Sequence, residues 1–153
     1  MGLDMYLFKK TYVKQWEHTL PEKLFHVDVK RGDIPYTSIK KDRVCYIIEE
    51  VGYWRKFNAL HQWFVDNCQD GVDDCSKESH VSKEQLYELL DILKQIDKDH
   101  SLAEELLPTQ EGFFFGGTEY NDYYFQDVEE TIKLISNLLE EEGDGEFYYN
   151  SSW

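Results

Sequence analysis

Apolar and polar positions alternate from the start of the chain. Leu3, Met5 and Leu7 fall on one side and Asp4, Tyr6 and Phe8 on the other, which predicts a strand from Leu3 to Lys10 with one purely apolar face. His26–Lys30 alternates in the same way, and the β-rich run Arg43–Glu50 carries Val44, Tyr46, Ile47 and Ile48, so two more strands are expected, antiparallel to the first. Pro21 breaks the chain before them, and Gly32, Asp33 and Pro35 mark a turn between them.

From Phe57 the period lengthens to that of a helix. Phe57, Leu60, His61, Phe64, Val65 and Cys68 make one stripe, closed by the turn signal Asp70-Gly71. Ser82 and Gln85 form a capping box ahead of a second stripe of Leu86, Leu89, Leu90, Leu93 and Ile96, so a helix is predicted to about Asp99. A short helical piece over Leu102–Leu107 must stop before Pro108, because a residue preceding proline is pushed out of helical dihedrals. Phe113–Gly117 reads as a short strand or core loop. A third long helix follows with Phe125, Val128, Ile132, Ile135, Leu138 and Leu139 inward and Gly143 at its end, and Glu146–Asn150 completes the pattern as a last strand.

Strands early and helices late, with no internal repeat and no linker, predict one α+β domain over residues 1–153: a small antiparallel sheet of N-terminal strands plus a C-terminal strand, packed against about three helices. At 153 residues and 18.3 kDa such a domain exposes about 8,000 Å² when compact and buries a real core. With 41% hydrophobic and 16% aromatic residues, the composition is that of a folded protein. No apolar run approaches a membrane span or a signal peptide, which predicts a soluble protein of the bacterial host cytoplasm. Three cysteines, Cys45, Cys68 and Cys75, do not make a disulfide framework.

Charge divides the chain in two. Residues 1–56 hold 11 Lys/Arg and 8 Asp/Glu, a balance of +3, whereas residues 57–153 hold 5 and 23, a balance of −18. A net charge of −15 repels nucleic acid phosphates and anionic membranes, so neither is an expected direct partner. It attracts a basic protein surface instead.

Motifs for chemistry are sparse. Asp66–Lys77 has Gly71 sixth in a 12-residue loop, as an EF-hand would, but Cys68 sits at the third position and Lys77 at the twelfth, where a bidentate Glu belongs. Asp70, Asp73 and Asp74 leave a non-standard cation site open. His61, Cys68, Cys75 and His80 carry zinc-binding atoms without zinc-finger spacing. No nucleophile elbow, P-loop, dinucleotide fingerprint or H-E-x-x-H occurs, and no metal, cofactor or catalytic residue is assigned.

Two surfaces are candidates for binding. Tyr53, Trp54, Arg55, Lys56 and Asn58 lie at a strand-to-helix junction, where a ring can stack and two cations can meet phosphate or carboxylate; His61 and Asp73 are grouped with them as candidates for a small anionic ligand. The acids Glu129, Glu130, Glu140, Glu141, Glu142 and Asp144, interleaved with Tyr123 and Tyr124, form a candidate partner-binding face for a basic groove on another protein. A third reading is a small hydrolase or transferase built on His61, Cys75 and nearby acids.

The segments MGLDMYL, EVGYWRKFNALHQWFVDN, DGVDDC, LLPTQEGFFFGGT and the terminal SSW together resemble a family of small uncharacterised proteins encoded by phages, prophages and bacterial genomes. The likeness spans nearly the whole chain. It implies a mobile-element context and no particular reaction, and it marks Asp4, Tyr53, Trp54, Arg55, Lys56, Asn58, His61 and Asp73 as positions to search for a site. The function expected from these features is that of a phage or prophage accessory protein acting by binding, as an acidic inhibitor of a host defence or nucleic-acid-handling protein.

Overall fold

A computed structural model describes residues 2–153; Met1 of the opening motif lies outside the described residues. The chain forms β1 (Asp4–Tyr12), a two-residue hairpin of β2 (Lys30–Arg31) and β3 (Ile34–Pro35), then β4 (Tyr46–Arg55) and α1 (Asn58–Cys68). It continues through β5 (Ser79–Val81), α2 (Lys83–Lys98), the short α3 (Ala103–Leu106), α4 (Asp122–Glu140) and β6 (Glu146–Ser152). The main sheet has strand order β4-β1-β6-β5 with every neighbouring pair antiparallel. This is the expected α+β architecture, with three long helices and one short one.

The period-two pattern of β1 works as predicted: Leu3, Met5 and Leu7 are fully buried beneath the helices. Phe147 and Tyr149 from β6, Trp54 from β4 and Val81 from β5 continue that inner layer. Phe64 from α1 stacks on Tyr149 with ring centroids 4.0 Å apart, and Leu86, Leu89, Leu93 and Ile96 of α2 pack with Val128 and Ile135 of α4 to complete the core. At α2 both arms of the capping box form: the Ser82 hydroxyl accepts from the Gln85 amide at 3.1 Å and the Gln85 side chain accepts from the Ser82 amide at 2.9 Å. Among the described residues no helix is long and apolar enough to cross a membrane.

Three expectations need correction, and one element was missed. His26–Lys30 is not a strand of the sheet; only Lys30–Arg31 pairs, with Ile34–Pro35, because the alternation has no buried surface to rest on. The strand expected at Arg43–Glu50 begins at Tyr46 and runs through Gly52-Tyr53-Trp54 to Arg55, its register held by β1 with a bulge at Val51 opposite Leu7/Phe8. Phe113–Gly117 forms no strand, and Phe113 stands 94% exposed instead of joining the core. Ser79–Val81 is a strand that the sequence pattern did not reveal.

Residues 14–45 join β1 to β4 as an arm in which no residue is buried. The accessible surface of 10072 Å² accordingly exceeds the roughly 8,000 Å² of a compact chain of this mass.

Candidate functional site

Segments far apart in the sequence meet in space. His61, on the inward stripe of α1, is fully buried with both ring nitrogens occupied: Nδ1 lies 2.6 Å from the Tyr149 hydroxyl and Nε2 lies 2.9 Å from Asp73 Oδ2. A carboxylate only accepts, so Nε2 carries the proton toward Asp73, and Nδ1 of the neutral ring accepts from Tyr149. Burial and the nearby Asp73 charge push the Tyr149 phenol well above its ordinary value, which keeps that proton on oxygen. Trp153 closes the chain by donating its indole N–H to Asp73 Oδ1 at 3.3 Å. The Phe115 ring stands edge-on to both His61 and Trp153.

Asn58 ties the same region to the glycine-rich loop. Its amide donates to the carbonyls of Phe115 at 3.0 Å and Gly117 at 2.8 Å, while its Oδ1 accepts from the Gln110 amide at 2.9 Å. The start of β1 joins in, with the Leu3 amide donating to the Phe114 carbonyl and the Lys56 amide to the Leu3 carbonyl. Lys56 takes a left-handed φ of 58°, uncommon for a residue with a Cβ. A Cβ placed at Gly116 would approach Lys56 Cβ to 3.1 Å, so the loop crosses the junction closely.

The seven ligand candidates therefore do not converge on one concave site. Trp54 is no stacking platform, since its ring is buried over Gly52 and its N–H donates to Thr131 Oγ1 at 2.9 Å. Asn58, His61 and Asp73 spend their polar atoms inside the hub. Tyr53 and Arg55 point to the opposite, open face of the sheet, where the Tyr53 hydroxyl donates to Asp4 at 2.5 Å, a bond that raises its pKa. Lys56 and Asn58 border a recess of about 170 Å³, with Thr109, Asn121, Tyr123 and Asp127. That is below the roughly 300 Å³ at which drug-sized ligand pockets begin. Burial, with a smaller contribution from Glu130, raises Asp127 there to about 6.

The acidic face also divides. Glu129, Glu130, Glu140, Glu141, Glu142 and Asp144 are all exposed, as is Tyr123, but Tyr124 is buried and donates to the Leu107 carbonyl at 2.7 Å, so it cannot meet a partner. Of those six acids only Glu141 has a cation within 4.0 Å among the described residues, Lys9 at 2.8 Å.

Among the described residues no three His, Cys, Asp or Glu side chains are grouped to hold a metal. Cys68 packs against the core with its thiol pushed up to about 12 by burial, and His80 pairs with Glu146. Cys75 is exposed, and His61 has no free nitrogen to serve it as a base. The contacts of Tyr149, Phe115 and Trp153 with His61 and Asp73 were not read from the sequence, which placed Tyr149 with the tyrosines of the acidic face; the inward register of Tyr149 beside Phe147 and the SSW segment were the available signals. Comparison with protein-family models, curated proteins and solved structures finds no match to this chain.

Proposed function

We propose that this protein acts by binding a partner protein through its acidic helical side, as a phage or prophage accessory protein that occupies a basic surface of a host factor. The observation that carries the reading is the unneutralised charge. Glu129, Glu130, Glu140, Glu142 and Asp144 have no cation beside them among the described residues. Such a field costs the folded state self-repulsion and speeds encounter with a basic surface. The hydrogen-bonded closure of the His61 hub supports binding over chemistry, because a site needs an approachable reactive atom.

The test is capture from host extract at low ionic strength by the full chain and by a variant carrying Glu129→Gln, Glu130→Gln, Glu140→Gln, Glu142→Gln and Asp144→Asn. A protein held by the parent, released by added salt and not held by the variant supports the reading. If the folded variant keeps the same partner and the same biological effect, the acidic side is only a solvated surface.

A further inference from the structure

The recess at the start of α4 holds a carboxylate that nothing pairs. Tyr123, Asp127 and Glu130 stand at i, i+4 and i+7, so they share one face of α4 and the recess opens onto the acidic side. Asp127 is half-buried there, yet among the described residues no Lys, Arg or His lies within 4.0 Å of it, and the one side chain that bonds it, Thr131, donates to its backbone carbonyl. Burial without a partner raises Asp127 to about 6, a cost to the fold that Asn, with the same shape, would not bear. Glu119, exposed on the rim, is also unpaired among the described residues. Lys56 does not neutralise these acids. Its stem lies against Gly116, and a Cβ placed at Gly2 would meet its Cε at 2.9 Å, so its ammonium is carried toward Gly2, which does not border the recess.

These features select a cation. The N-terminus of α4 would favour an anion, but the Asn121 side chain already accepts from the Tyr124 amide at 3.2 Å, and two carboxylates border the space. At about 170 Å³ the recess is too small for a drug-sized molecule and admits one long side chain. Tyr123, 78% exposed at the mouth, offers a ring face. A guanidinium suits both groups: being planar it stacks on a ring and sets two parallel N–H donors on one carboxylate, and it sheds water more readily than an ammonium. We infer that the recess is a socket for one arginine side chain of the partner protein, whose guanidinium pairs with the Asp127 carboxylate and stacks on Tyr123. The inference rests on the reading of the acidic side as the surface that meets a basic partner, and it names the anchor residue there. Asp127 then keeps a position that destabilises the free fold because the bound arginine supplies the missing partner, and enclosed arginine anchors carry a large share of binding energy.

Titration of the full chain with N-acetyl-arginine amide, followed through the backbone amide resonances of the protein, tests this without the partner. Saturable shifts with a millimolar Kd, confined to the surroundings of Gly117, Tyr123 and Asp127, are expected, and the citrulline amide, of the same shape without the charge, should cause none. Asp127→Asn removes a burden from the fold and so stays folded; it should weaken binding of the arginine amide by about tenfold or more. Tyr123→Ala, at an exposed position, should weaken it by about threefold. No saturation by tens of millimolar, equal binding of the citrulline amide, either variant binding as the parent does, or inorganic phosphate taking the same place would each overturn the inference. Arginine amide bound by a chain that captures no host protein supports the socket and counts against the partner reading, and a host protein captured by a chain that does not bind the amide does the reverse, so the two fail separately.

Discussion

Replacing Tyr149 by Phe isolates the polar part of the hub from its packing. The Phe ring keeps the 4.0 Å stack on Phe64, so what is lost is the hydroxyl that donates to His61 Nδ1 at 2.6 Å. Nδ1 then sits in a residue with no exposed surface and no other partner, and an unsatisfied buried acceptor costs about 1–3 kcal/mol. Unfolding entropy near 2.1 cal/mol/K per residue gives about 0.3 kcal/mol/K for a domain of this length, so Tm should fall by about 3–9 °C. A double-mutant cycle with Asp73→Asn adds a second readout. If the Tyr149–His61–Asp73 chain acts as a unit, the two losses should couple by roughly 0.5 kcal/mol or more. Thermal unfolding followed by circular dichroism, at one fixed pH for all variants, measures both. A Tyr149→Phe variant that melts within about 1 °C of the parent, with strictly additive losses, would refute the tautomer and the hub assignment together.

Asp127 gives a pH-dependent counterpart. Its pKa is raised to about 6, so the folded state holds this proton more tightly than the unfolded chain, and stability falls as pH rises through the window from about 4 to 6. Asp127→Asn removes that penalty; because the group is only half-buried the gain at neutral pH should be about 1 kcal/mol, or roughly 3 °C in Tm, and should vanish near pH 4. Thermal melts of both proteins across pH 4–8 check the sign, and a constant difference across that range refutes it. Cysteine chemistry supplies a third check. A thiol-disulfide reagent at neutral pH should label exposed Cys75 at once and leave Cys68, whose thiol is pushed up to about 12, protected until unfolding, with mass mapping of the labelled peptides as the readout. Rapid labelling of native Cys68 would show that α1 opens readily.

Much of the architecture was written in local pattern. Leu3, Met5 and Leu7 announced their strand because a half-buried strand must alternate, and Ser82 with Gln85 announced α2 because a helix start must satisfy its free amides. Where local pattern lacked a partner it misled: Val27 and Val29 alternate like a strand but rest in an arm with no core beneath it. Ser79–Val81 is too short for any period to register, and exists because β6 lies alongside. β4 runs through Gly52 for a related reason: a Cβ there would come within 2.8 Å of the Trp54 ring, so the missing side chain serves packing inside a strand and not a turn. The hub was least legible. His61 and Tyr149 are 88 residues apart and Asp73 and Trp153 are 80 apart, and spacing carries no information about such pairs.

That geometry determines what the separate segments contribute. MGLDMYL supplies the inward β1 residues and Leu3's bonds to the loop and to Lys56; the GYWRK segment with its following helix supplies Trp54, Asn58 and His61. DGVDDC supplies Asp73, the FFFGG segment supplies Phe115 and the carbonyls that Asn58 holds, and SSW supplies Trp153. These are the residues by which distant parts of the chain satisfy one another in the interior, where an unpaired polar group is costly. Residues of this kind specify a scaffold and leave activity open. On the proposed reading, specificity comes from what the scaffold displays, the acids of α4 and the turn after it that have no cation beside them among the described residues. Binding through that surface responds to salt in one direction, because an attraction between unlike charges is weakened by screening. Ionic strength is therefore the single variable that tests the proposed capture of a partner without altering a residue.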